Sequence, residues 1–196
     1  MFEEQLFSAF EDQTVQGRLA RIRQRVDPFF EDVASGVLPI LNEEARGYKA
    51  FIAKHARRHL NPPPNTWIAF GQNTRGYKMI PHYEVGLWDD RLFIWLACEV
   101  NIKERQPVVL KLQTKQADFL KLDSSFQLST NHMAKPVQAL TKEPLIQAVT
   151  AYQTQKSREV LIGKTFDRQS LRSSDEDELL ATIQTTIQEL SQIWDK

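Results

Sequence analysis

The stretch HYEVGLWDDRLFIWLACEV, residues 82–100, decides the fold. Residues 82–88 alternate, so that Tyr83, Val85 and Leu87 share one face of a predicted strand. The two aspartates at 89–90 suit a tight turn, and residues 91–100 return as the partner strand of a hairpin. Because this second strand is apolar at successive positions, we expect it in the centre of a sheet with both faces covered.

Outward from the hairpin, short β-branched and aromatic segments predict further strands at residues 66–70, 125–129 and 158–166. Apolar residues at helical spacing predict helices over 15–26, 28–41, 44–59, 106–122 and 142–154, and a last one carrying the stripe from Leu179 to Trp194. Asp27 is predicted to cap the second helix, with Pro28 at its first position. Ser173 and Glu176 match a capping box before the last helix.

Helices at both ends and a sheet between them indicate an α+β fold. We expect a central, mainly antiparallel sheet with helices packed around it, as a single domain over residues 1–196. The longest apolar run, Leu92–Cys98, is too short to span a membrane, and the acidic N-terminus does not resemble a secretory signal. The single cysteine, Cys98, cannot form an intrachain disulfide. The sequence therefore predicts a cytoplasmic protein without membrane contact.

Positive charge is concentrated in one part of the chain. The totals balance, with 25 basic and 25 acidic residues. However, the window from Ala45 to Tyr83 contains no acidic residue. It holds the cations Arg46, Lys49, Lys54, Arg57, Arg58, Arg75 and Lys78 and the histidines His55, His59 and His82. Since arginine offers a planar fork of donors, this window indicates a pocket for an anion.

The predicted 44–59 helix would place His55, Arg58 and His59 on one face, because positions three and four apart are neighbours. The loop RGYK at 75–78 would fold over the end of that helix, and aromatic residues would wall the cleft. The candidate ligand-binding residues are therefore Lys54, His55, Arg58, His59, Trp67, Arg75, Tyr77, Lys78, His82 and Trp88.

Three classes of function stay open. The first is a protein that binds an anionic ligand, either a phosphate-bearing metabolite or nucleic acid. Nucleic acid is included because aromatic residues interleave with the basic ones, as in proteins that bind single strands. The second is a hydrolase or transferase with His59 or His82 as the catalytic general acid or base, near Glu84 or His132. The third is an interaction protein whose basic block pairs with the acidic ends of the chain. The sequence assigns no cofactor and no oligomeric state.

A metal site is considered at the same histidines. His55 and His59 have the spacing of a helical ligand pair, with His82 or His132 as a third ligand. The stretch HARRH has no glutamate where the zinc-protease motif has one, and its two arginines would repel a dication. No metal site is predicted.

The segments KHARRHLNPPPNTW (54–67) and RGYKMIPHYEVGLW (75–88) resemble the signature of the YktB-like proteins, an uncharacterised family of Firmicute bacteria. The similarity is specific over 53–95 and weaker at RLARIRQRVDPFF and TNHMAKP. It implies an α+β fold and a cytosolic bacterial protein, and no activity. Asn65 and Asn131 stand where the family pattern has aspartate, so a catalytic or metal-binding role of those carboxylates is doubtful here.

Overall fold

The computed structural model describes residues 2–196. Its strands are β1 Lys49–Ile52, β2 Asn65–Gly71, β3 His82–Trp88, β4 Arg91–Cys98, β5 Gln127–Ser129, β6 Gln138–Ala139 and β7 Val160–Asp167. Its helices are α1 Phe2–Phe7, α2 Val15–Arg21, α3 Asp27–Leu41, α4 Arg105–Thr114, α5 Gln116–Phe119, α6 Lys142–Thr154 and α7 Glu176–Trp194.

The described strands form one seven-stranded sheet in the order β1-β2-β3-β4-β7-β5-β6. Neighbouring strands run antiparallel throughout. The predicted α+β class, with a mainly antiparallel sheet and helices at both ends, is confirmed.

The β3–β4 hairpin forms as predicted, and β4 lies between β3 and β7 in the middle of the sheet. Tyr83, Val85 and Leu87 point into the main core, where α3 and α7 pack against the sheet. The predicted apolar stripe of α7 is buried there, including Ile183 and Ile187. Each fully buried side chain of this size contributes about 1.5–3 kcal/mol through the hydrophobic effect.

The opposite face of the sheet carries a smaller core. Aromatic residues dominate it, and loops rather than long helices cover it, with Phe51, Ala53 and Val137 packed at its edge. Its buried aromatic members are Trp67, Tyr77, Trp88, Phe93 and Trp95. We call this side of the sheet the aromatic face, and it carries the candidate site.

The predicted helix over 44–59 is wrong. Residues 49–52 form the edge strand β1, which pairs with β2. Gly47 has a φ of 78°, which separates this strand from α3. The alternation of this segment fits a strand, because Ala50 and Ile52 pack on the main core while Phe51 packs on the aromatic face. His55, Arg58 and His59 therefore lie in turns and share no helix face.

The predicted helix ends also differ from the structure. The chain continues from α2 through a π-helical turn, Ile22–Val26, into α3, so Asp27 is helical and caps nothing. At α7 the cap is Asp175, whose side chain accepts a hydrogen bond from the Glu178 amide at 2.9 Å, and Ser173 lies in a preceding 3-10 turn. The predicted helix over 106–122 is divided at Lys115 into α4 and α5.

Within residues 2–196, no helix combines the length and the apolar character needed to cross a bilayer.

Candidate functional site

A cleft of about 690 Å³ opens on the aromatic face, between the turn at 53–58, the end of the 75–78 loop and residues 132–133. None of the described residues that line it carries a carboxylate. The side chains that matter for its chemistry are the cations Lys54, Arg57, Arg58 and Lys78 and the histidines His55 and His132. We call this cavity the basic cleft.

The four cations of the basic cleft have no ionic partner in the part of the chain that the structure describes. No carboxylate oxygen of residues 2–196 lies within 4.0 Å of their charged nitrogens. The acidic ends are used elsewhere: Glu3 pairs with Arg172 at 3.3 Å, and Asp175 caps α7. Arg46 is the exception in the acid-free window, since it pairs with Glu44 at 2.7 Å. The pairs on which the interaction-protein hypothesis depends are therefore not formed by Arg57 and Arg58.

The floor of the basic cleft is aromatic. Trp67 Nε1 donates a hydrogen bond to the Tyr77 hydroxyl at 2.7 Å, and both rings are at least nine-tenths buried. Lys78 Nζ lies 5.4 Å from the Trp67 ring centroid and 5.9 Å from that of Tyr77. The ammonium thus lies within the range of cation–π attraction, at a place where these rings expose little surface.

His55 stands between the floor and the cations. Its backbone φ is 48°, its Nε2 lies 3.0 Å from Thr66 Oγ1, and its ring packs edge-on against Trp67 at 5.5 Å. Burial lowers the pKa of His55 to about 4, with further lowering from Arg58 and Lys78. His55 is therefore neutral at pH 7, and the charge of the basic cleft comes from lysine and arginine.

The turn at 53–58, which we call the basic turn, is held by a backbone hydrogen bond to β2 and by one within the turn. The Ala53 amide donates to Trp67 O at 2.9 Å, and the Arg58 amide donates to His55 O at 2.9 Å. The buried guanidinium of Arg18 donates to Pro63 O at 3.0 Å. The prolines that follow the basic turn are thus held by a side chain from the N-terminal helices.

A buried polar cluster lies behind the basic cleft. The alternation that points Tyr83 and Val85 into the main core points His82 and Glu84 to the aromatic face. Cys98 is paired with Val160 across β4 and β7, so Glu99 and Glu159 lie at the same end of those two strands. His82, Glu84, Glu99 and Glu159 are all almost completely buried.

His82 joins two of these carboxylates. Its Nδ1 donates to Ile80 O at 2.8 Å, and its Nε2 lies 3.1 Å from Glu84 Oε1 and 3.6 Å from Glu99 Oε1. Burial alone would lower the pKa of His82, but Glu84 and Glu99 raise it to about 10. Burial raises the pKa of Glu84, whereas His82 outweighs burial at Glu99 and lowers that pKa to about 2.

His132 and Glu159 form a second pair beside the first. His132 Nδ1 lies 2.8 Å and 2.9 Å from the two carboxylate oxygens, which also accept the amides of His132 and Val100. Burial alone would lower the pKa of His132, but the hydrogen bond to Glu159 raises it above its usual value. The His132 side chain keeps 17% of its surface exposed and lines the basic cleft.

The structure brings some of the sequence-predicted residues together and leaves others apart. His82 is fully buried and packs edge-on against Tyr77, with the ring centroids 4.8 Å apart. Of the described chain, His59 and Arg75 are exposed and lie outside the lining of the basic cleft, as does the buried Trp88. The predicted residues that do line it are Lys54, His55, Arg58, Trp67, Tyr77 and Lys78.

Comparison with known proteins shows which family the chain belongs to. The family model named "Domain of unknown function (DUF1054)" matches residues 2–194. A UPF0637 protein of Leuconostoc citreum is 41% identical over 187 residues, which cover 93% of this chain and 94% of the relative. One of Exiguobacterium sibiricum is 35% identical over 196 residues, covering 100% and 97%. The chain belongs to the DUF1054 family.

DUF1054 membership confirms the resemblance to an uncharacterised bacterial family. The two departures from the expected pattern fall at structural positions in this DUF1054 protein. Asn65 is buried at the start of β2, and Asn131 Oδ1 accepts the Met133 amide at 2.8 Å in a turn. Neither residue belongs to a described group of histidines and carboxylates that could hold a metal ion.

Sequence reasoning missed Glu99 and Glu159. Each stands next to an apolar strand segment, in LACEV and in REVLIG, where a charged residue is unusual if the strand end is buried. That position is the signal that could have found them. Glu84 was named only as the partner of a catalytic histidine, and His132 in that role and as a third ligand of the metal site that was considered and not predicted.

Proposed function

We propose that this DUF1054 protein is a cytoplasmic protein that binds a phosphate-bearing small molecule in the basic cleft. The observation that carries the proposal is the convergence of Lys54, Arg57, Arg58 and Lys78 on one cavity, where no carboxylate of the described residues neutralises them. Four cations of like sign repel one another when they share a cleft, and a bound phosphate group relieves that repulsion.

The size of the basic cleft supports a small ligand. Its volume of about 690 Å³ lies within the range of roughly 300–1,000 Å³ that is usual for small-molecule sites. Arg58 offers a fork of donors to two phosphate oxygens, and Lys78 adds a point charge from the 75–78 loop.

Nucleic acid is the less favoured version of the same idea. Binding of a single strand relies on aromatic faces on which bases stack. The rings of Trp67 and Tyr77 are packed into the aromatic face, and Lys78 covers both of them. A phosphate-bearing metabolite needs only the cations and the cavity.

Titration calorimetry with pyrophosphate, adenosine monophosphate and a short single-stranded oligonucleotide tests the proposal. Arg58→Ala and Lys78→Ala are each expected to weaken pyrophosphate binding by about tenfold or more, because each removes a charge-assisted contact. The matched control is Arg75→Ala, an arginine of the same acid-free window that lies outside the basic cleft. It is expected to change affinity by less than about threefold, since exposed charges at a distance are screened.

Two results would contradict this assignment. One is a wild-type protein that binds none of the three probes, and the other is an Arg75→Ala variant that loses as much affinity as Arg58→Ala. Oligonucleotide binding that is tighter than pyrophosphate binding and falls steeply between about 50 and about 200 mM salt would favour nucleic acid instead.

A catalytic role is a second candidate, and one observation favours it. His132 is oriented by Glu159 and reaches the surface of the basic cleft, as a general acid or base must. Of the two candidates from sequence, His82 is completely enclosed and cannot touch a ligand there, and His59 lies outside the lining of the basic cleft. Phosphorus NMR of the same titration samples distinguishes a binder, which leaves the phosphate ester intact, from an enzyme, which releases a product.

A further inference from the structure

We propose that His82, Glu84 and Glu99 bind a divalent transition-metal ion behind the basic cleft. Each offers one ligand atom, and these atoms lie within 4.8 Å of one another in a fully buried setting. The proposal is independent of anion binding, because none of the three residues lines the basic cleft.

The orientation of His82 is the first support. A backbone carbonyl can only accept, so the bond from Nδ1 to Ile80 O fixes the proton on Nδ1. In the neutral ring the lone pair is then on Nε2, which faces Glu84 and Glu99. Histidines that bind metals are usually held this way, with the second nitrogen donating to a carbonyl or a carboxylate.

The spacing of the ligand atoms fits a metal as well as it fits a hydrogen bond. A tetrahedral site with bonds of about 2.1 Å has ligand atoms about 3.4 Å apart. The observed separations from His82 Nε2 are 3.1 Å to Glu84 Oε1 and 3.6 Å to Glu99 Oε1. The longer one exceeds hydrogen-bond distance.

Glu99 supplies the independent observation. It is completely buried, and within the described chain its Oε1 atom has no hydrogen-bond partner. This oxygen faces His82 Nε2, while the other oxygen accepts from Asn101 at 3.1 Å. The ion pair with His82 at 3.6 Å gives this oxygen no hydrogen bond. A buried carboxylate oxygen without a hydrogen bond is destabilising, and a cation between Glu99, Glu84 and His82 would satisfy it.

The charge balance points the same way. A dication that binds here displaces the proton from His82 Nε2. The two carboxylates and the neutral imidazole then carry two negative charges in a dry environment, which the dication neutralises completely. Nitrogen and carboxylate ligands without a thiolate suit Zn²⁺, Mn²⁺ or Fe²⁺ rather than Cu⁺.

The neighbouring group of Glu99, His132 and Glu159 is also close enough to hold an ion, but its atoms are already used. Both oxygens of Glu159 accept backbone amides and face His132 Nδ1. A metal there would displace these hydrogen bonds. At the proposed site it would displace none at Glu99 Oε1 and would replace only the contact between His82 Nε2 and Glu84 Oε1. His132 and Tyr77 contact the cluster on one side and line the basic cleft on the other, so these two side chains separate the proposed metal site from the cleft.

Metal analysis of the full chain tests the proposal. The protein is purified without chelator, stripped with EDTA and reloaded with Zn²⁺ or Mn²⁺, and metal content and Tm are measured. We expect about one ion per chain and a rise in Tm with metal concentration, because an ion that binds the folded state stabilises it. Glu99→Gln is expected to weaken binding by more than about 100-fold, which exceeds the loss from removing a supporting group.

The matched control is Glu3→Gln. Within residues 2–196, Glu3 is another buried glutamate with one oxygen that has no hydrogen bond, but its other oxygen pairs with Arg172 and it belongs to neither described metal-ligand group. This variant should keep its metal. Arg58→Ala should keep it too, so that a failure of the anion-binding proposal can be distinguished from a failure of the metal-binding proposal. If Glu99→Gln does not fold, the absorption spectrum of wild type loaded with Co²⁺ decides, since a spectrum like that of aqueous Co²⁺ overturns the proposal. Reloaded wild type with no ion and no change in Tm also overturns it.

Discussion

Glu99 and Glu159 lie just beyond the adjacent ends of β4 and β7 and are both buried, yet they differ in one respect. Glu159 has hydrogen bonds to both oxygens, whereas Glu99 leaves Oε1 without one in the described chain. The burial of a carboxylate is therefore not what marks a site in this protein. The unpaired atom, together with the fixed orientation of His82, does so.

His55 gives a prediction at the scale of a single residue. Its pKa is lowered from the ordinary 6.5 to about 4, first by burial and then by Arg58 and Lys78. Between pH 4 and 6.5 the unfolded chain binds more protons at this residue than the folded protein does, so stability rises with pH through this window. Above pH 6.5 the contribution is complete, and it is lost as the pH falls towards 4.

Urea unfolding of wild type and His55→Gln at several pH values measures this effect. The stability advantage of wild type should grow from pH 4 to 6.5 and then stay constant, and the His55 ring signals in an NMR titration should move near pH 4. A constant difference between the two proteins over the whole window, with a ring that titrates near 6.5, would show that His55 is exposed to water.

At the scale of an element, β1 shows how neighbours override a local pattern. Residues 44–59 allow a helix by spacing, but 49–52 also alternate, and only the open edge of β2 decides between the two. The stronger patterns needed no such help. The 82–100 hairpin and the stripe of α7 were predicted correctly because their periodicity runs over many residues.

Gly163 in β7 gives a prediction for the central strands. A methyl group at this position would lie 1.8 Å from Ile94 O, a backbone atom of β4, so the strands must separate to admit it. Gly163→Ala is expected to lower the free energy of unfolding by at least about 2 kcal/mol in urea denaturation, through overpacking.

Gly36→Ala in α3 is the control for this substitution. The added methyl group would meet only the end of the Gln184 side chain, which can move aside. Since glycine inside a helix is less stable than alanine by about 0.5–1 kcal/mol, this variant should be unchanged or more stable. Equal stability of the two variants would mean that β4 and β7 are less closely packed than the structure has them.

At the scale of the whole molecule, the residue that follows α7 is hydrogen-bonded to side chains from the sheet and from the loop before it. Asp195 accepts hydrogen bonds from the Tyr48 hydroxyl at 2.8 Å and from the Tyr83 hydroxyl at 3.0 Å. Both tyrosines are buried, and they come from positions far apart in sequence. One carboxylate at the end of α7 thus connects the loop before β1, the hairpin and the C-terminus.

Asp195→Ala tests this connection. It leaves two buried hydroxyls without their partner and is expected to lower the free energy of unfolding by about 1–3 kcal/mol. In a Tyr48→Phe/Tyr83→Phe background the same change should have little effect, because the hydroxyls are gone. An equal loss in both backgrounds would assign the role of Asp195 to something other than these hydrogen bonds.

The sequence by itself determined the layers of this protein and the place of its charge. Alternation in 82–100, helical spacing in α7 and the absence of acids from Ala45 to Tyr83 are all properties of neighbouring residues. Only the tertiary structure decided that residues 49–52 form a strand and that Lys78 and Arg58 line the same cleft. It alone placed Glu99 beside His82 and Glu159 beside His132. These outcomes depend on which strands pair and in which register, and partners far apart in sequence fix that choice.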